Sequence, residues 1–213
     1  ICAISQEHLL VVGPPGTAKS ELVKRFSLLC SPESPRDGNV PYFEYLFTRF
    51  TEPNEIFGPV DIKTFQGGGG HCRITDGLLP NAELAFLDEV FKANSAILNA
   101  LLTILNERVF YNGSTRQSVP LICGIGATNE VPEDSTLAAM FDRFLVRVWS
   151  DNVEEARFED LFAKGWDLEK HRIQQGYGVK LANVTTTDTL RDLHRALHEV
   201  NLGAVARDYR EVV

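Results

Sequence analysis

The stretch from His8 to Ser20, HLLVVGPPGTAKS, constrains this chain more than any other. Leu9, Leu10, Val11 and Val12 form an apolar run too short for a helix, so they read as a buried strand. Gly13, Pro14, Pro15, Gly16, Thr17 and Ala18 then make a turn, and a helix is expected from about Lys19 with Leu22, Val23, Phe26 and Leu29 on its apolar face. A strand, a glycine-rich turn and a helix in this order aim backbone N–H groups and the positive end of a helix dipole at one point. Phosphate oxygens are held in such a place. The pattern makes residues 13 to 20 candidate nucleotide-binding residues, with Lys19 reaching the outer phosphates and the Ser20 hydroxyl ligating Mg²⁺. Ala18 stands where the usual G-x-x-x-x-G-K-[ST] pattern has a second glycine, and it needs a backbone conformation that tolerates a Cβ.

Four more apolar strand candidates follow, at Tyr42–Leu46, Leu84–Leu87, Leu121–Ala127 and Phe144–Trp149. Helical patterns separate them, which predicts a mostly parallel five-stranded sheet covered on both faces. Ligands of such sheets bind beyond the carboxyl ends of the strands, where the polar motifs are expected to gather. The 213 residues suffice for one sizeable core and a small appendage, and no apolar run approaches bilayer length. A net charge of −8 argues against coating nucleic acid, which needs clustered Lys and Arg. Cys2, Cys30, Cys72 and Cys123 show no CxxC spacing and read as reduced, mostly buried thiols of a cytoplasmic protein. His71-Cys72 lacks partners at ligand spacing. The chain begins at Ile1 without a signal peptide, and its natural N-terminus is expected to lie further upstream.

Two hairpins are expected outside the sheet. After a short helix at Pro53–Phe57, strands at Asp61–Phe65 and Cys72–Thr75 would flank Gly67 to Gly70 as a flexible hairpin. Val109 to Tyr111 runs into Asn112-Gly113 and returns through Ser114 to Val119, the strongest short hairpin signal. Between them Ile97, Leu98, Leu101, Leu102 and Leu105 mark a core-facing helix. Residues 1–164 read as one α/β domain closed by a charged helix at Asp151–Lys164, with 165–185 an irregular linker. Residues 186–213 would begin a small helical lid, with Leu190, Leu193, Leu197 and Val200 on one face and Thr189 as N-cap.

The chemistry concentrates at three strand-associated points. Leu84 to Leu87 ends in Asp88-Glu89; downstream of such a loop, Asp88 would hold the Mg²⁺ shell and Glu89 would deprotonate an attacking water. Asn129, closing the strand before it, offers a neutral amide to a lytic water or γ-phosphate. Arg143, just before the last strand, could reach a neighbouring subunit's nucleotide. Arg147 lies inside that strand and reads as structural, and an Asp142–Arg143 surface pair is the plain alternative for Arg143.

This order of loop, Asp-Glu, Asn and Arg resembles the AAA+ ATPases, and within them the MoxR family, RavA-like members in particular. GPPGTAKS carries the alanine variant of the loop. FLDEVFKANSAILNALLTILNERVFYNG resembles the family's Walker B strand, following helix and hairpin. GATNEVPEDSTLAAMFDRFLVRVW resembles its sensor 1, arginine finger and last strand, while TRFTEPNEIFGP and GLLPNAE flank a helix-2 insertion. The match covers about residues 8 to 150. It implies a P-loop NTPase sheet in the order 5-1-4-3-2, ATP or ADP with Mg²⁺ as cofactors, and Glu89, Asn129 and Arg143 as catalytic residues. It also implies a homo-oligomeric, hexameric ring, and chaperone-like remodeling of protein clients with von Willebrand factor A domain partners. A nucleotide-dependent scaffold without turnover is the rival. The lid's Ser-Asp-Arg-Arg string, source of a sensor 2 arginine, has no counterpart, and Arg207 and Arg210 lack its context. A truncated lid is the expected reason.

Overall fold

In the computed structural model the apolar run after His8 becomes strand β1 (Leu9–Val12), which lies inside a parallel sheet. The described residues are 1–30, 40–68, 70–132, 134, 137–175 and 185–199. The other sheet strands are β2 (Val40–Leu46), β3 (Ala82–Asp88), β6 (Cys123–Thr128) and β7 (Val146–Trp149), hydrogen-bonded in the order β2-β3-β6-β1-β7. The two missing numbers belong to a separate antiparallel hairpin, β4 (Val109–Asn112) and β5 (Thr115–Ser118). With the hairpin left out of the count, the sheet runs fifth-first-fourth-third-second from its β7 edge. All four pairings in the sheet are parallel.

The register decides where the loops emerge. Val12 lies opposite Thr128 and Trp149, and Asp88 lies opposite Ala127 and Leu46. The carboxyl ends of β1, β3 and β6 are therefore level, and Gly13, Glu89 and Asn129 leave the sheet side by side. β6 is buried throughout and β3 nearly so, as strands covered on both faces must be. Alternate residues serve two cores: Leu10, Val12, Ala85 and Leu87 face one, and Val11, Leu84, Phe86 and Ile125 the other.

Helix α1 (Cys2–Ser5) precedes the sheet, and α2 (Lys19–Leu29) follows the loop. Helix α2 buries Val23 but leaves Leu22 exposed, which corrects the apolar face expected for it. Helix α3 (Pro53–Phe57) is as expected. The first strand of the glycine-rich hairpin is instead helix α4 (Ile62–Gln66). Asp61 causes this: its Oδ1 accepts from the N–H groups of Lys63 and Thr64 and its Oδ2 from the Thr64 hydroxyl, so a local cap outweighs strand propensity. Among the described residues the pairing is reduced to an isolated Val60–Arg73 bridge, and Gly69 lies outside them. Helix α5 (Ser95–Glu107), capped by Asn94, buries Ile97, Leu98, Leu101, Ile104 and Leu105 against the sheet; Leu102 is only partly buried. Helix α6 (Ala138–Phe141) leads to β7.

Helix α7 (Phe158–Gln175) occupies residues 165–175 of the segment expected to be an irregular linker, because a lone Gly165 costs about 1 kcal/mol and does not stop a helix; residues 176–184 lie outside the described residues. Its start also falls later than Asp151, after a short 3₁₀ turn at Glu155–Arg157. Helix α8 (Thr187–Leu197) is capped by Thr186, whose hydroxyl accepts from Thr189 N–H, so Thr189 is the capped residue and not the cap. Leu190 and Thr187 are buried, Arg191 pairs with the buried Glu83 at 3.0 Å, and the His194 ring bonds Ile4 O at 2.9 Å. These contacts hold α8 against α1 and the start of β3. Val200, Arg207 and Arg210 lie outside the described residues. Among the described residues no helix is long and apolar enough to cross a membrane.

Candidate nucleotide-binding site

The loop after β1 is shaped by its neighbours. Gly13 N–H donates to Thr128 O at 3.1 Å, and Ser150 N–H donates to Val12 O at 2.7 Å. A Cβ on Gly13 would lie 2.0 Å from Ser150 O, so only glycine lets the end of β7 approach. Gly16 takes φ 86°, and Ala18, the N-cap of α2, takes φ 59° and ψ 25°. Ala18 thus keeps the left-handed geometry of the glycine it replaces, at about 1–2 kcal/mol. No side chain caps α2, which leaves its first N–H groups facing the cleft.

Lys19 is buried, and its Nζ donates to Gly13 O at 2.7 Å, Pro14 O at 2.8 Å and Asn129 Oδ1 at 3.3 Å. Ser20 Oγ donates to Asp88 Oδ2 at 3.3 Å across the mouth of the cleft. Glu89 has φ 53° and ψ 40°, a left-handed turn that breaks β3 and swings the next residues into a 3₁₀ turn at Val90–Lys92. Its carboxylate accepts from Asn129 Nδ2 on Oε1 and pairs with Lys92 Nζ on Oε2 at 3.3 Å. The Asn129 amide is thereby oriented on both sides, its oxygen to a cation and its nitrogen to a carboxylate. Pro15 to Ser20, Leu46, Asp88, Glu89 and Asn129 share one cleft of about 360 Å³. Gly13 sits buried at its base.

Arg143 is not in this cleft. Val146 pairs with Leu9, the first residue of β1, whereas the loop leaves after Val12. Arg143 therefore lies at the amino end of the sheet, about 13 Å of strand away from the loop. This corrects the expectation that every polar motif gathers at the carboxyl ends. It lines a second pocket, of about 500 Å³, with Gln6, His8, Arg108 and His194. Asp142 pairs with Arg147 at 3.4 Å, and Arg147 also lies over the Phe141 ring at 4.0 Å and donates to Phe144 O at 3.1 Å. Arg147 is structural, and among the described residues the exposed Arg143 side chain has no partner.

Sequence reasoning passed over His8 and Arg108. His8 is buried, its Nδ1 accepts from Gly124 N–H at 2.8 Å, and its Nε2 faces Leu105 O at 2.9 Å. Arg108 caps α5 with φ 54°, brings Nη1 to 2.7 Å from His8 Nε2 and donates to Gln6 O at 2.6 Å. Burial first, and the Arg108 charge second, lower the His8 pKa to about 4, so the ring is neutral at pH 7. No spacing reveals a contact between positions so far apart in the chain. Lys92 was also missed, although it stands one 3₁₀ turn after Glu89. Cys2, Cys30, Cys72 and Cys123 form no disulfide, and burial pushes the Cys123 thiol up to about 12.

The family model described as the MoxR domain in the MoxR-vWA-beta-propeller ternary systems matches residues 1–192. The chain belongs to the MoxR family. Two uncharacterized proteins of Methanocaldococcus jannaschii, MJ0812 and MJ0079, are each 49% identical to this MoxR domain over 144 residues, 68% of this chain and 36% of theirs. The domain therefore spans about a third of the length of these curated relatives. Among solved structures, a candidate ATPase from Cytophaga hutchinsonii superposes with a TM-score of 0.66 at 15% identity, over 94% of this chain and 56% of that one. NtrX from Brucella abortus in complex with ADP gives 0.56 at 18%, over 91% and 46%. At such identities the likeness establishes the AAA+ fold.

Proposed function

We propose that this MoxR domain hydrolyses ATP as a subunit of a RavA-like hexameric ring whose cycle remodels partner proteins. The observation that carries the reading is the Lys19–Asn129–Glu89 chain of contacts, which ties the phosphate loop to a carboxylate base within one cleft. Lys19, the loop N–H groups and the start of α2 supply positive charge for a triphosphate. Glu89 accepts the proton of the attacking water, and Asn129 holds the γ-phosphate end in line. The Ser20 hydroxyl and Asp88 carboxylate converge as hard oxygen donors, a set that fits Mg²⁺. When bound, that ion would screen the phosphate charge.

Arg143, without a partner among the described residues and at the opposite end of the sheet, would complete a neighbour's site, which makes turnover depend on assembly. The family's association with vWA and β-propeller systems supports a von Willebrand factor A domain protein as partner. The test is ATP turnover per subunit against protein concentration, with assembly followed in parallel. Turnover that rises as rings form supports the reading. An assembled ring without turnover overturns it in favour of a nucleotide-dependent scaffold.

A further inference from the structure

We infer that Lys92 is a positioning residue for the hydrolytic base, a role that rests on the ATPase reading above. A glutamate side chain turns about three bonds, and a base must present one oxygen to water in a narrow range of positions. Glu89 has two anchors, one on each carboxylate oxygen: Asn129 Nδ2 at Oε1 and Lys92 Nζ at Oε2, the latter at 3.3 Å. Lys92 reaches that place through its own backbone, whose N–H donates to Glu89 O at 2.8 Å and closes the 3₁₀ turn. The same two residues are thus joined twice, once through the main chain and once through their charges. An ionised carboxylate offers about four acceptor sites, so two anchors leave room for a water.

Exposure separates this role from a stabilising one. The Glu89 side chain is 12% exposed and that of Lys92 55%. A pair half in water adds little to folding. The hold on Glu89 matters to geometry, where a displacement of about 1 Å can cost about 100-fold in rate. The Asn129 amide is shared, since its Oδ1 also accepts from Lys19 Nζ at 3.3 Å, whereas the Lys92 ammonium pairs with Glu89.

The experiment compares assembled wild type with Lys92→Met, Lys92→Gln and Lys92→Arg, measuring ATP turnover and, separately, binding of a fluorescent ADP analogue. The expected result is a kcat lowered about 10-fold or more in the Met and Gln variants. KM and analogue affinity should stay at wild-type values, and Arg should restore most of the rate. Wild-type kcat in both neutral variants overturns the role, as does a parallel loss of rate and affinity or an Arg variant no better than Met. Wild-type rings without turnover overturn the ATPase reading and this role with it. Wild-type turnover matched by Lys92→Met overturns this role alone.

Discussion

Acidification should weaken this domain through a single buried ring. His8 has a pKa of about 4 in the fold against 6.5 unfolded. Between those values the unfolded chain binds a proton that the native state refuses. The contribution to stability is complete above about pH 6.5 and is lost as pH falls toward 4. The full gap is worth about 3 kcal/mol, and the part lost between pH 7 and pH 5 is about 2 kcal/mol. A domain with a few kcal/mol of stability would be visibly softened. Urea unfolding at about pH 7, 6 and 5 would measure this, run beside His8→Gln, whose amide can accept from Gly124 N–H and donate to Leu105 O without titrating. The wild type should lose about 2 kcal/mol more than the variant over that range. An NMR titration of His8 should show a neutral ring down to about pH 5. A ring that protonates near 6.5 in the folded protein, or a variant as acid-sensitive as wild type, would refute the reasoning.

The other expectations concern the cleft and its complement. Glu89→Gln should abolish turnover while keeping ATP bound, since the amide retains an oxygen for Asn129; filter binding and phosphate release measure the two halves, and wild-type release rates would remove Glu89 as base. Arg143→Ala should lose on the order of 10³-fold or more in turnover. Mixing it with Glu89→Gln subunits should recover activity, because some interfaces then join an intact base to an intact arginine; a mixture as inert as its components would argue against completion in trans. Ala18→Gly should raise the unfolding free energy by about 0.5–1 kcal/mol, the left-handed strain relieved less the added freedom of the unfolded chain. The exposed methyl leaves no cavity. A lower urea midpoint would count against that strain.

The strand, turn and helix around Gly13 to Ser20, the carboxylates ending β3 and the hairpin at Asn112-Gly113 were legible because each depends on neighbours a few residues away. Apolar run length, helical spacing and turn chemistry are local quantities, and they suffice to propose an α/β sheet with its site beyond the strand ends. Even local reading failed where two local preferences competed, as at Asp61, whose capping bonds turned an apparent strand into α4. The meeting of Lys19, Asn129 and Glu89 depends on tertiary structure, because those residues are 40 and 110 positions apart and come together only through the register of β1, β3 and β6. The same register sends Arg143 to the far end of the sheet and buries His8 between Gly124 and Leu105. By itself the sequence determined the glycine-rich loop, the Asp88-Glu89 strand end and the Asn129 strand end as separate local features. Which parts share a cleft, and that Arg143 stands apart from it, was decided by parallel strand pairing, which aligns carboxyl ends with one another and sets every amino end on the opposite side.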